Sequence, residues 1–443
     1  MLSPTQAPPA ARVRQASGTT PGRYRLWSLG TAILLALATL TSVASASQMR
    51  SSTKRAESTT GPVLVATQQL VSSLAEADAA ATAAFLSGRD EDPEQRRLYE
   101  QALARAGQQV EEVASLAGKD TETRAVLNRI SVQVTRYAGL VEAARATNKA
   151  TSPDANGYLV SAVSLVDQLV SGDIKTLADD SRSNLRGDQN RRTRGLGVAL
   201  VLLAWALATL GYSQFRMMRT SRRILNPPLV VATILVLVAL GWQARAGDAS
   251  GRALNKARND GYDSIVLTAQ LGSAGFGAKA AETLAVITGD AGQRRRADED
   301  AGRVTASPIT PAVAAAIRAG TASGAPGGLF GQAASAADSP RERAAVAEAG
   351  LRWQRYVASV AALRAAPNPA AATAIAVGQA SADFNGFNFS VESILGQNRG
   401  QFLDGLGTAA DRTDRVPTGV LLLLLAAIAA VFWGYQLRIN DYR

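Results

Sequence analysis

Four stretches of the chain lack any charged residue and are largely apolar: Leu26 to Ala46, Leu196 to Tyr212, Leu229 to Trp242 and Val416 to Tyr435. At about 1.5 Å per helical residue, Leu26 to Ala46 is long enough for a hydrocarbon core near 30 Å, and all four stretches are expected to be membrane-spanning helices. Between them the pattern changes from continuous to periodic. Val63, Thr67, Leu70, Leu74, Ala77, Ala81 and Ala84 recur at alternating steps of four and three, which is the seam of a helix packing on other helices. Further apolar faces follow at Leu103, Ala106, Val110 and Val113, at Val126, Ile130, Tyr137 and Val141, and at Leu159, Val163, Val166, Val170 and Leu177. Residues 48–194 therefore read as an antiparallel four-helix bundle.

Helix starts are marked by a capping residue before proline, Asp92 before Pro93 and Ser152 before Pro153, with Asp120 a cap between them. Residues 243–415 repeat the plan. Ser339, Pro340 and Glu342 form a capping box, and Asn368 before Pro369 opens the next helix. Trp353, Val357 and Val360, then Phe384, Phe387, Val391 and Ile394, supply apolar faces, with Phe384, Phe387 and Phe389 expected in the core. Pro308, Pro311 and Pro326 and the Gly-rich stretch from Gly324 to Gly331 predict a surface loop over 307–337 holding one short helix, 311–319.

The fold class is thus an all-α membrane protein with four transmembrane helices and two tandem extracytoplasmic four-helix bundles whose outer helices continue into the membrane. The expected boundaries are a disordered cytoplasmic tail 1–25, spans at 26–47, 195–213, 227–242 and 416–435, bundles at 48–194 and 243–415, a basic loop 214–226 and a tail 436–443. Ala44, Ser45 and Ala46 after the first apolar stretch also fit a cleavable signal peptide.

Charge fixes the expected orientation. The chain carries a formal +11, yet 48–194 holds 19 basic and 19 acidic residues and 243–415 holds 18 and 16. The excess sits in the short segments, above all Arg216, Arg219, Arg222 and Arg223 between the second and third spans. Such a bias places loop and termini in the cytoplasm and suits contact with anionic lipid, not a nucleic-acid surface. The four arginines are also the candidate contact for a cytoplasmic partner. Cysteine and histidine are both absent, which removes disulfides, thiolate metal sites and histidine-based catalysis, so no enzyme, metal or cofactor is expected. Uncharged spans argue against an ion-coupled transporter.

The two periodic regions match each other. Gln69 to Gly88 aligns without a gap on Gln270 to Gly289, sharing Gln69/Gln270, Leu70/Leu271, Thr82/Thr283 and Gly88/Gly289 among others. Arg136-Tyr137 aligns on Arg355-Tyr356, and the same offset places Asp120 on Ser339. We read a tandem duplication of span, bundle, span. Arg136 and Arg355 are the candidate structural or ligand arginines, with Glu76 among the candidate partners. Arg294 to Arg296 beside Asp298, Glu299 and Asp300 reads as a solvated face. Gly272, Gly275 and Gly277 read as close helix packing, and Gly88 and Gly289 as helix ends with positive φ.

Thr60-Gly61-Pro62 followed by the Gln69-Leu70 to Ala84-Phe85-Leu86-Ser87-Gly88 pattern, in a doubled four-span layout, resembles the actinobacterial GlnX family; the bundles also resemble the four-helix sensor domains of chemoreceptors. The GlnX resemblance implies a relay of amino-acid availability from an extracytoplasmic solute-binding lipoprotein, GlnH-like, to a soluble cytoplasmic Ser/Thr kinase, PknG-like. It fixes no individual binding residue, and homodimerisation stays open. The competing class is an envelope scaffold or assembly factor that transmits no signal.

Overall fold

The computed structural model describes residues 20–88, 91–118, 120–150, 154–221, 226–321 and 326–440. Among them every regular element is helical, and four helical stretches are long and apolar enough to cross a membrane, within Trp27–Ala84, Thr193–Arg216, Pro227–Lys256 and Pro369–Leu437. The chain is an all-α membrane protein. Its helices are α1 (Thr20–Arg55), α2 (Gly61–Ala84), α3 (Pro93–Ala117), α4 (Thr121–Lys149), α5 (Asp154–Leu169), α6 (Lys175–Ser221) and α7 (Pro227–Lys256), then α8 (Asp263–Thr288), α9 (Ala291–Val304), α10 (Pro311–Ala319), α11 (Gly328–Ala336), α12 (Pro340–Arg364), α13 (Pro369–Ile375), α14 (Ser381–Asp414) and α15 (Val416–Asn440). Short π-helical turns at Ala56–Thr60, Val170–Ile174, Ala257–Tyr262 and Ala376–Ala380 join α1 to α2, α5 to α6, α7 to α8 and α13 to α14. They recur at matching places in the two halves.

Contacts divide the chain into two compact units: 1–56, 186–254 and 407–443 in one, 57–185 and 255–406 in the other. In the first, Leu35, Ala38, Leu203, Ala206, Leu210, Ala232, Val236, Leu424 and Ala427 bring the four apolar stretches to a common core. Leu29, Ile33, Leu37 and Leu40 stay exposed on the other side of α1, as lipid-facing side chains do. A few polar contacts key the packing: the Gln243 side chain donates to the Ser42 carbonyl (3.2 Å), Asn226 to that of Gly434 (2.9 Å) and Gln214 to Thr233 (2.7 Å).

In the second unit four helices begin at caps the sequence marks. Asp92 accepts from the Glu94 amide (2.9 Å), Asp120 from the Glu122 amide (3.1 Å), Ser339 from the Glu342 amide (3.1 Å) and Asn368 from the Ala371 amide (2.8 Å). Glu342 completes its box one residue early, accepting from the Asp338 amide (3.1 Å). Ser152 and Pro153 lie outside the described residues. Gly88 and Gly289 take φ near +70° at the ends of their helices (70° and 71°).

Several boundaries differ from expectation. α1 begins by Thr20, inside the expected disordered tail, of which residues 1–19 lie outside the described set. α6 runs to Ser221, so most of the basic segment 214–226 is helix; the uncharged run simply continues its hydrogen bonding into polar sequence. The stretch 307–337 is not a surface loop. It holds a second helix, α11, and Ile309, Ala314, Ile317 and Phe330 are fully buried in the core with Trp353. Its prolines and glycines break the apolar period without removing the apolar side chains. Gly328, at φ 60°, would carry a Cβ 2.8 Å from the Arg303 carbonyl, so only glycine lets α11 fold back here.

The two bundles share one body. α2 packs on α3 and also on α8; Ala79 joins the core around Trp353, and Leu284 joins a cluster with Phe85, Ala144, Leu159 and Val163. α2 and α8 are buried nearly all round, which explains their alanine content: helices enclosed on every side approach closely only with small residues. Gly275 illustrates the tolerance. A Cβ there would lie 2.5 Å from Phe387 Cε1, whereas one at exposed Gly107 on α3 meets nothing within 4 Å. Gly275→Val is expected to destabilise by about 1–3 kcal/mol and Gly107→Ala to stabilise by about 0.5–1 kcal/mol, read as opposite shifts of thermal midpoint in the purified full chain.

Candidate functional site

The buried ion pairs of the two halves centre on arginines that the sequence reading missed. α4 presents Arg145, only 6% exposed at its side chain, with Nη2 2.7 Å and Nε 2.9 Å from Glu91 and a further bond to Glu142. Its guanidinium lies over the Tyr99 ring at 5.7 Å. Burial works against the charge, yet the bonds to Glu91 and Glu142 hold its pKa above the usual arginine value. Beside it lies a polar group without pairing: Asp78 Oδ1 and the hydroxyls of Tyr99 and Tyr137 are buried with no hydrogen-bond partner. Burial first, and then the nearby Asp167, pushes Asp78 up to about 7 against the opposing pull of Arg296. Burial also pushes Tyr99 up to about 12.

On α12 the counterpart is Arg364. Its Nε lies 3.0 and 3.1 Å from the two carboxylate oxygens of Glu282, Nη2 closes the fork, and Nη1 donates to Asp298 Oδ1 at 2.8 Å. These hydrogen bonds hold its pKa well above the ordinary value. The Glu282 side chain is 5% exposed and Asp298 61%, so the centre grades from buried to open. Next to it a cavity of about 200 Å³ is lined by Glu282, Asp298, Trp353, Tyr356, Val360 and Arg364, with Ala361 also at its edge. Tyr356, buried beneath, has its hydroxyl pKa raised by burial and by Glu282.

Arg136 and Arg355 are both exposed; the buried member of each Arg-Tyr pair is the tyrosine, Tyr137 or Tyr356. Glu76 is bound instead by Arg105. Arg145 and Arg364 each stand nine residues further along, so the offset that aligns Arg136 with Arg355 aligns them too; carrying the alignment on is the signal that finds them. Asp78 and Lys279 are likewise equivalent in the gapless block, both buried and opposite in charge, with Lys279 over the Phe384 ring at 4.7 Å. Burial lowers Lys279 to about 8. Arg296 is not merely solvated: it reaches Asp167 of the other bundle. Phe384 and Phe387 are core residues, but Phe389 is exposed, one helical step off the apolar face.

Of the four loop arginines, Arg216 lies over Trp27 (5.7 Å) and Arg219 over Phe215 (4.8 Å), both exposed, while Arg222 and Arg223 lie outside the described residues. A larger groove of about 490 Å³ lined by Trp27, Gly30, Thr31, Leu34, Trp205 and Thr209 has no charged group with which to hold a polar solute. Among the described residues no group of three or more His, Cys, Asp or Glu gathers to hold a metal.

Buried ion pairs within helical bundles, together with four helices long and apolar enough to cross a membrane, define the class as an all-α membrane protein. Residues 52–190 match the family model of the actinobacterial sensor domain, which covers the first bundle and its two π-helical turns. That match points to a sensing role for a membrane protein. No curated protein and no solved structure matches the chain.

Arg145→Ala leaves Glu91 with only the longer contact to Arg96 (3.5 Å) and is expected to cost about 3 kcal/mol, whereas Arg136→Ala at its exposed site stays within about 0.5 kcal/mol; thermal or chemical unfolding of the two variants separates them. Asp78 titrates near 3.8 when unfolded and near 7 in the fold, so the native state holds the extra proton in between and stability falls as pH rises from 4 through 7. Asp78→Asn is expected to flatten that decline, measured as thermal midpoints of variant and parent from pH 4 to 8.

Proposed function

We propose that the chain is a non-catalytic transmembrane sensor, with both bundles extracytoplasmic and both termini and the arginine segment cytoplasmic. In this reading it relays amino-acid availability from a solute-binding lipoprotein outside to a soluble Ser/Thr kinase inside. Arg216, Arg219, Arg222 and Arg223 serve as contact for the kinase and for anionic lipid.

The observation that carries the proposal is the run of helix from the first and third apolar stretches towards the bundle helices that follow them, interrupted only by a π-helical turn at Ala56–Thr60 and Ala257–Tyr262. A π turn holds one residue more than the α-helix it interrupts. Exchanging it for regular pairing turns the following helix by about 100° and shifts it by about 1.5 Å. Binding that favours one pairing in a bundle thereby acts on the helix that follows, an exchange between two discrete states. The sensor-domain match over 52–190 and the strong Lys/Arg bias of the basic segment support the same assignment.

The test uses the absence of native cysteine. Cysteines placed at exposed Ser115 or Ser335 are expected to label only from the extracytoplasmic face in intact cells and not in inverted vesicles. With that topology retained, replacing all four loop arginines by alanine is expected to cut co-isolation of a cytoplasmic kinase at least tenfold. Unchanged co-isolation, or recovery of no cytoplasmic protein with the parent chain, overturns the relay and leaves the scaffold reading.

A further inference from the structure

Most of the polar groups around Arg364 answer one another, but the cavity beside them is left with charge and hydrogen-bonding capacity to spare. Two carboxylates, Glu282 and Asp298, face a single guanidinium, so the wall carries a surplus negative charge. Both oxygens of Glu282 are engaged by Arg364. Asp298 gives only Oδ1 to the arginine, and Oδ2 accepts no hydrogen bond among the described residues. An acceptor with surplus negative charge calls for a cationic donor.

The rest of the lining sets the shape of what that cation must carry. Trp353 and Tyr356 close the inner end with aromatic surface, and their rings stand 5.2 Å apart by centroid. Val357, Val360 and Ala278 complete an apolar wall. Aromatic faces attract an ammonium as well as covering a hydrocarbon body. Trp353 Nε1 is buried without a partner, a donor unsatisfied by the protein itself. At about 30 Å³ for each water-sized group, a 200 Å³ cavity encloses about seven heavy atoms, enough for an amine nitrogen and its hydrocarbon body.

We propose that this cavity binds a small ligand that joins a primary ammonium to an apolar body of about four or five carbons, with the ammonium on Asp298 beside Glu282 and the body against Trp353 and Tyr356. The ligand is either a free aliphatic amino acid or the corresponding amine; the shared chemistry is the ammonium. In the first case the outward N–H groups of Arg364 take the carboxylate, and in the second they stay with solvent. This goes beyond the relay described above, in which a separate lipoprotein binds the solute, because it places a ligand site in the chain itself. A lone carboxylate is excluded by the same argument, since it would bring a third negative charge to the wall.

The full chain in lipid nanodiscs is titrated calorimetrically with 3-methylbutylamine, L-leucine and isovalerate as probes. Saturable binding of the amine or of leucine, with isovalerate at least tenfold weaker, is expected. Leucine at least tenfold tighter than the amine assigns an amino acid; the reverse order assigns an amine. Arg364 is a poor position to vary, because its loss strands buried Glu282, so the variants are Asp298→Asn and Ala361→Phe, both at exposed positions. Asp298→Asn is expected to weaken binding at least tenfold, and Ala361→Phe, which fills the mouth, to abolish it.

Binding that persists unchanged in both variants, isovalerate binding as tightly as the other two, or no saturable binding of either ammonium probe overturns the proposal. Trp353 is the one tryptophan outside the four apolar stretches, so the emission lost in Trp353→Phe isolates its signal, and that signal is expected to change on saturation. These readouts are independent of kinase co-isolation, so the relay and the ligand site stand or fall separately.

Discussion

The close approach of α2 and α8 is the constraint on which the larger unit depends. Each is the first helix of a four-helix bundle and also the wall that one bundle presents to the other, so neither has a solvent face of any size. Alanine and glycine on these two helices let neighbours come near, and the larger residues insert across the join, as Leu284 does among Phe85, Leu159 and Val163. A bulky side chain on either helix pushes on both bundles at once. Movement in one bundle is therefore coupled by packing to the other, a physical link that separate tandem domains would lack.

Within that shared body the two bundles differ in chemistry. The first is filled mainly by aliphatic side chains around Tyr99 and Tyr137. The second is built on an aromatic cluster in which Trp353, Tyr356, Phe384 and Phe387 meet tilted or edge to face at centroid distances of 4.9 to 5.7 Å. The equivalent arginines differ as well. Each pairs one largely buried and one exposed carboxylate, but the Arg145 side chain is 6% exposed, whereas Arg364 is 35% exposed and stands beside a cavity. Asp78 and Lys279 mark the equivalent position with opposite charges, each held where its ionised form is costly.

How much was legible in the sequence follows from which interactions are local. Caps at Asp92, Asp120, Ser339 and Asn368 were read correctly because a side chain bonding an amide two or three residues away needs nothing beyond its own segment. The uncharged runs marked helices that can cross a membrane for the same reason: length and apolarity are properties of a stretch, not of its neighbours. The candidate site was not legible in this way. Arg136 and Arg355 stood out because they adjoin aromatics, but which of two adjacent helical residues faces inward depends on the helix's rotation, and that is set by packing.

By itself, then, the sequence determined the helices, most of their caps, the four apolar stretches and the repetition of one plan. Only the tertiary structure decided that two bundles form one body, that 307–337 folds inward through Gly328 to bury Phe330, and that Arg145 and Arg364 are the enclosed cations. Apolar periodicity says that a face is buried without saying against what. An ion pair such as Arg364 with Glu282, separated by 82 positions along the chain, leaves no periodic trace at all.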